Sequence, residues 1–344
     1  MRFVAVGHDY LQSEIIKKLA LELKSRGHEA VIFVGDGKQL TSEPPEMEEA
    51  VSNSEVVLVT ISNRTDEEVS AGLMAVKHNK PLIVSADAFR SYSMPAFAPL
   101  RFHTRILFRT TGDRAEDARN LFPNAEIHVV GNPFWEAWAN PEFSRNEVRE
   151  KFEVEDDECF IACAGDKPPG DNIMLFGCLL EAVEVLQKRG IKTKLLIGFH
   201  PGASLPPSFY HGVFRRSDIP VMFTGPETMS LSDAVVGADM VINTVSTIGI
   251  QAAYQHVPSI NFMSIFTRTM LARDTGEDTW DLCDNLGISR AVRGSSVEEL
   301  MEVISEFAKT GFSSLSAKRD IVFPVSFVPG KCIHLMANTI ERLT

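Results

Sequence analysis

His200 ends an apolar run, Lys194-Leu195-Leu196-Ile197-Gly198-Phe199, and is followed by Pro201-Gly202, a pair that turns the chain. Further on, Ala238-Asp239-Met240-Val241-Ile242-Asn243 reads as a buried strand that passes into Ser246, Thr247 and Gly249. An apolar-periodic stretch follows, so these three residues open a helix just beyond the carboxyl end of a strand. Free backbone N–H groups and the helix dipole make such a place an anion site. The two hydroxyls can donate to phosphate oxygens, and Gly249 lets a bulky ligand reach the backbone. The plain alternative is a Ser/Thr cap between strand and helix. An imidazole at a strand end lies where open α/β sheets bind ligands. As a neutral donor or an imidazolium, His200 can stabilise charge on a leaving phosphate; as a mere strand cap it only shapes the pocket.

A third segment, Ala164-Gly165-Asp166-Lys167-Pro168-Pro169-Gly170-Asp171-Asn172, follows another apolar run. Gly165 and Lys167 suit a loop that wraps a diphosphate, with Lys167 as the point charge, against the alternative of a solvated surface loop. In the first half, Ile83-Val84-Ser85-Ala86-Asp87 closes a strand with a carboxylate. Asp87 is the first choice for a general base and His8-Asp9 the second, with a turn-closing aspartate as the alternative. If the ligand is a nucleotide, the backbone at Phe223-Thr224-Gly225 is the expected contact for its base. Phe97, Phe102 and Phe108 read as core. Val6-Gly7-His8-Asp9-Tyr10 is not Gly-x-Gly-x-x-Gly, and no Walker A segment is present, which speaks against a nicotinamide or P-loop site. No Asp-x-Asp or clustered His/Cys set suggests a metal.

These residues need a scaffold, and 344 residues with 44% hydrophobic content are enough for two ordinary domains. A net charge of -12 without a Lys/Arg run excludes a general nucleic-acid surface but leaves room for a local cationic pocket. No apolar stretch is long enough to span a membrane. Met1 leads straight into Arg2-Phe3-Val4-Ala5-Val6 with no signal peptide, so a cytoplasmic protein is expected. The cysteines (Cys159, Cys163, Cys178, Cys283 and Cys332) form no Cys-x-x-Cys pair and read as reduced, buried small hydrophobes.

Strands are expected at 3–6, 29–34, 56–61, 81–85, 106–108 and 126–130, alternating with helices at 13–26, 48–53, 66–78 and 112–122. Continuous apolar strands between helices mean a parallel sheet covered on both faces. After a proline-broken stretch at 131–145 the pattern returns. Helices are expected at 145–152, 172–189, 232–237, 297–309 and 330–343, with strands at 159–164, 194–199, 221–223, 238–243 and 257–262. The stretch 264–294 reads as irregular with a short helix.

Val129-Val130-Gly131-Asn132-Pro133-Phe134-Trp135, His200-Pro201-Gly202 and Ser246-Thr247-Ile248-Gly249 together resemble the GT-B superfamily. That superfamily holds nucleotide-sugar glycosyltransferases and hydrolysing UDP-N-acetylglucosamine 2-epimerases. The resemblance implies an α/β fold of two doubly wound, parallel-sheet Rossmann-like domains with an interdomain cleft. It implies an acceptor-side domain over 1–140 and a nucleotide-sugar donor domain over 141–344, the final helix crossing back to the first. The implied function is metal-independent glycosyl transfer from a nucleotide-sugar donor to a hydroxyl acceptor the sequence does not identify, with no further cofactor. Gln251 stands where many members carry a glutamate for the ribose hydroxyls, so an amide replaces a charged acceptor. The alternatives are a hydrolysing nucleotide-sugar 2-epimerase and a non-catalytic nucleotide-sugar or polymer binder. A homodimer is left open.

Overall fold

The computed structural model describes residues 1–8, 10–35, 45–61, 66–86, 91–112, 115–200, 202–215, 219–225, 227–275, 278, 287–294, 296–311, 322 and 330–343. The chain divides into two compact units, Met1–Ala137 with Ile321–Thr344, and Trp138–Asp320.

Unit 1 holds β1 (Arg2–Gly7), β2 (Glu29–Val34), β3 (Val56–Ile61), β4 (Leu82–Ala86), β5 (Thr104–Arg109) and β6 (Glu126–Val129). They form one parallel sheet in the order β2-β1-β3-β4-β5-β6. Between the strands run α1 (Tyr10–Ser25), α2 (Pro45–Ser52), α3 (Asp66–Lys77) and α4 (Ala115–Leu121), and α5 (Trp135–Trp138) closes this part of the chain. Alternate residues of each strand feed opposite faces. Val4, Val6, Val57, Val59 and Val84 share a cluster with Met47, Ala71 and Phe122, whereas Phe3, Ala5, Leu58 and Ile83 pack with Ile16, Leu19 and Leu23.

Unit 2 begins with α6 (Arg145–Lys151), fixed at its start by a capping box between Ser144 and Glu147. Its sheet holds β7 (Cys159–Ala164), β8 (Thr193–Gly198), β9 (Val221–Phe223), β10 (Met240–Asn243), β11 (Ser259–Met263) and β12 (Arg290–Arg293). All neighbours are parallel, in the order β12-β11-β10-β7-β8-β9. Read from β9, this is the 3-2-1-4-5-6 order of a dinucleotide-type α/β sheet, with its switch point between β7 and β10. The helices are α7 (Pro169–Lys188), α8 (His211–Phe214), α9 (Leu231–Ala234), α10 (Ile248–Tyr254), α11 (Ile265–Thr275) and α12 (Val297–Thr310).

The last helix, α13 (Lys331–Glu341), belongs to unit 1. Its apolar residues Ile333, Met336, Ala337 and Ile340 lie in the cluster with Phe3, Ile16 and Leu19. Gly330 starts it in the left-handed region (φ 79) and has no side chain to cap the first turn. The buried carboxylate of Glu136 does so instead, accepting from Gly330 N at 2.8 Å and Cys332 N at 2.7 Å. Polar links finish the contact, with Arg26 on Asn338 (2.6 Å) and Glu341 (2.8 Å), and His28 on Glu341 (2.8 Å).

Three expectations need correction. The stretch 264–294 carries the expected helix, 11 residues long, but also an edge strand, β12, whose four residues are too few for a periodicity reading to find. Residues 169–172 are the first turn of α7 rather than loop, because Pro169 sits at N1, where a missing N–H costs nothing. Phe97 and Phe108 are core, but Phe102 is 67% exposed. None of the described helices is long and apolar enough to cross a membrane.

Candidate functional site

Three loops meet at the carboxyl end of unit 2's sheet, beside its switch point. The loop after β7 is held by Asn172, which is fully buried. Its Oδ1 accepts from Asp166 N at 2.6 Å, and its Nδ2 donates to Asp166 O at 2.8 Å and to the Tyr210 hydroxyl at 3.1 Å. A side chain at Gly165 would crowd the turn, since a Cβ would sit 3.0 Å from Asn172 Oδ1 and 3.3 Å from Gly198 O. The Asp166 carboxylate accepts from Lys167 N at 2.6 Å and from the Thr244 hydroxyl at 2.8 Å, joining the β7 loop to the β10 loop across the switch point. The Lys167 side chain is exposed, and its ammonium has no ion-pair partner among the described residues.

The loop after β8 brings His200. Phe199 anchors it in an aromatic cluster, stacked on Tyr210 at 5.4 Å and Phe223 at 6.1 Å, with Phe176 edge-on at 5.8 Å. His200 Nδ1 accepts from Gly202 N at 2.8 Å, so the neutral ring carries its proton on Nε2. That nitrogen has no partner among the described residues. Burial, and then the Lys167 charge, push the imidazole pKa below its usual value, with Asp166 opposing. A Cβ built on Gly202 would lie 3.3 Å from His200 Nδ1 and 3.8 Å from Lys167 Cε, which puts the two side chains beside one turn. Ser204 closes the arrangement, its hydroxyl 3.4 Å from Lys167 O.

The loop after β10 is built otherwise than expected. Ser246 N donates to Asn243 Oδ1 at 3.2 Å, and Ser246 Oγ accepts from Ile248 N at 3.3 Å, so Ser246 works as the cap. Helix α10 has seven residues, too few for a sizeable dipole. Thr247 makes no side-chain cap bond and is exposed, so its hydroxyl and backbone N–H are the donors this turn offers. Gly249 lies buried in the first turn. Gln251 is also buried, with Oε1 accepting from Ser232 Oγ at 2.8 Å and Nε2 donating to Ser232 O at 2.6 Å. Its amide is engaged inside the unit. At Phe223-Thr224-Gly225 the Thr224 N–H is held by Ile197 O at 3.0 Å, and Gly225 O accepts from Thr228.

Asp87, Asp9 and Pro201 lie outside the described residues. His8 is described and buried, its N–H on Glu68 Oε1 at 2.9 Å. Around it the sequence reading missed a polar group at the carboxyl end of unit 1's sheet. Among the described residues, His8 Nε2, both side-chain polar atoms of Gln12 and Thr60 Oγ1 are buried and have no hydrogen-bond partner. The available signal was Gln12 itself, a polar residue on the buried face that Ile15, Ile16, Leu19 and Leu23 define. In unit 2, Asp166, Asn172 and Thr244 were likewise missed; their pairing spans 78 positions for Thr244, beyond any local pattern. No His/Cys/Asp/Glu group among the described residues is arranged to hold a metal ion.

No protein-family model matches this sequence, and no curated protein is significantly similar to it. Solved structures are similar. A UDP-GlcNAc 2-epimerase from Neisseria meningitidis, solved with UDP-GlcNAc bound, superposes with a TM-score of 0.60 at 14% identity, covering 99% of this chain and 100% of that one. The UDP-GlcNAc 2-epimerase of Methanocaldococcus jannaschii gives 0.60 at 16% identity, covering 98% and 99%. A glycosyltransferase from Rickettsia africae gives 0.61 at 11% identity, covering 99% and 98%. At these identities the likeness is one of fold. Two six-stranded parallel Rossmann-like sheets, each with flanking helices, make this a GT-B fold. Its structural neighbours are UDP-GlcNAc 2-epimerases and GT-B glycosyltransferases.

Proposed function

We propose that this chain acts on a nucleotide-activated sugar and that unit 2 holds the donor's diphosphate. One observation supports the reading above others: three donors that are unengaged among the described residues, Lys167 Nζ, His200 Nε2 and the Thr247 hydroxyl, stand on three loops tied together at a topological switch point. Ser246 and Gly249 shape the turn that presents Thr247. Gly165 permits the tight path of the Lys167 loop.

In the glycosyltransferase reading, the bond between the sugar's anomeric carbon and the diphosphate breaks, and the electron pair leaves with the phosphate. Lys167 supplies positive charge and His200 a neutral Nε2–H donor to that oxygen, so no metal or further cofactor is required. The acceptor oxygen bonds to the anomeric carbon and its proton passes to a base, the role assigned to Asp87. A hydrolysing 2-epimerase is the second reading, favoured by the two epimerases among the neighbours above. The engaged Gln251 amide supports neither a charged ribose contact nor a strict preference for one nucleotide.

Thermal shift against UDP-, CDP- and CMP-sugars tests the binding claim, since a ligand of the folded state at about 100 Kd adds about 2.7 kcal/mol. Lys167→Ala should weaken the best ligand by about 1.5–3 kcal/mol. Product analysis then separates the readings. Free nucleotide and a rearranged sugar formed with water alone mark an epimerase, and transfer only with an added hydroxyl acceptor marks a transferase. If no nucleotide sugar raises the melting temperature, the proposal fails.

A further inference from the structure

A second place in the molecule has the chemistry of a ligand site, and it lies at the opposite end of a sheet from the strand ends that bind ligands in open α/β folds. At the amino ends of β4 and β5 in unit 1 is a depression of about 490 Å³, within the size range of small-molecule sites. Lys80, His103 and Arg105 line it, and among the described residues no acidic one does. Among the described residues none of these three side chains has an ion-pair partner, whereas Lys17, Arg26 and Lys77 of the same unit are each paired with a glutamate. In a chain of net charge -12, an uncompensated cationic depression stands against the overall field.

The frame around these cations is fixed. Asn79 ends α3 in the left-handed region (φ 52). Asn79 N donates to Val76 O at 3.1 Å and Lys80 N to Ala75 O at 2.8 Å, the paired bonds of a left-handed helix terminus, so Lys80 leaves the helix at a set point. Asn124 Nδ2 donates to Phe102 O at 2.8 Å and holds the neighbouring turn. The Phe102 ring is thereby left 67% exposed at the rim.

We propose that this depression binds a mononucleotide, its phosphate on Lys80 and Arg105 and its base against the Phe102 ring. Arginine and lysine are the side chains that pair with phosphate, and an exposed aromatic face beside them is a stacking platform for any base. The Asn79 and Asn124 amides offer further donors and acceptors to the base edge. The site is separate from the loops of unit 2 and stands whether or not the proposal for those loops does.

Calorimetric titration with AMP and with inorganic phosphate tests it on the whole chain. The double variant Lys80→Ala/Arg105→Ala should weaken AMP at least about tenfold, the loss of one or two charge-assisted contacts. Phe102→Ala should weaken AMP while leaving phosphate binding unchanged. All three side chains reach solvent, and thermal melting confirms that the variants remain folded. Lys167→Ala, which alters the unit 2 loops, should leave this binding intact. AMP affinity unchanged in the double variant overturns the proposal, as does AMP binding lost in Lys167→Ala alone. Phosphate binding as tightly as AMP overturns the role of Phe102.

Discussion

Asn172→Asp replaces one buried side chain by another of the same shape and changes a single atom, Nδ2, from donor to acceptor. The Oδ1 bond from Asp166 N (2.6 Å) survives. The Nδ2 bond to Asp166 O (2.8 Å) is replaced by two oxygens facing each other, and the Tyr210 hydroxyl at 3.1 Å can turn to donate. One half-buried carbonyl thus loses its partner, which costs about 1 kcal/mol, the low end for an unsatisfied acceptor. The new carboxylate is itself buried, with the Asp166 carboxylate on the residue it holds, which adds an unfavourable charge. Together these predict a loss of about 2–4 kcal/mol at pH 7. Protonating the new carboxyl restores a donor toward Asp166 O. Its pKa is therefore raised in the folded state, and the penalty should shrink as pH falls. Urea unfolding at pH 7 and pH 5, with Tyr210→Phe as a milder control at about 1 kcal/mol, measures this. The same variant should weaken nucleotide binding, because Lys167 rides on the loosened loop. A change under about 0.5 kcal/mol at pH 7, or a penalty that grows at pH 5, would show that Asn172 does not hold the loop as described.

Three further outcomes follow from named contacts. His200 should titrate below its ordinary value of 6.5, and Lys167→Met should move the midpoint upward when followed by proton NMR; because the folded value is depressed, the stability tied to His200 is present above that ordinary value and is lost as pH falls through the folded one. Glu136→Ala removes both acceptors from the start of α13 and should destabilise the protein by about 2–4 kcal/mol, with amides of 332–335 exchanging faster; unchanged exchange there would refute the capping role. Burial raises the thiol pKa at Cys163 and Cys332, at the latter reinforced by Glu136, and at Cys159 to about 12. Among these and Cys178, native-state alkylation should therefore reach Cys178 first, as it is the least buried; prior modification of Cys163 would contradict the packing.

Much of the scaffold was legible along the chain. Val56–Ile61 and Cys159–Ala164 are strands with the bounds that their runs set, since a strand buried on both faces is nearly all apolar, and the half-buried edge strand Val221–Phe223 keeps its expected bounds too. The strand ends that carry Lys167, His200 and Thr247 were equally local, because glycine, proline and hydroxyl residues mark where a run stops. Strand order was not local. The switch point between β7 and β10 arises because β8 and β9 extend the sheet on one side while β10 to β12 extend it on the other. That choice puts Asp166 against Thr244 and settles which strand ends can share a ligand. Tertiary packing also reassigned individual side chains. Gln251 faces Ser232, Ser246 caps its own helix, and Glu136 caps a helix that begins almost two hundred positions later. Local sequence sets where a backbone turns, but a polar side chain takes whichever unsatisfied group folding brings within about 3 Å, and only the tertiary structure decides which group that is.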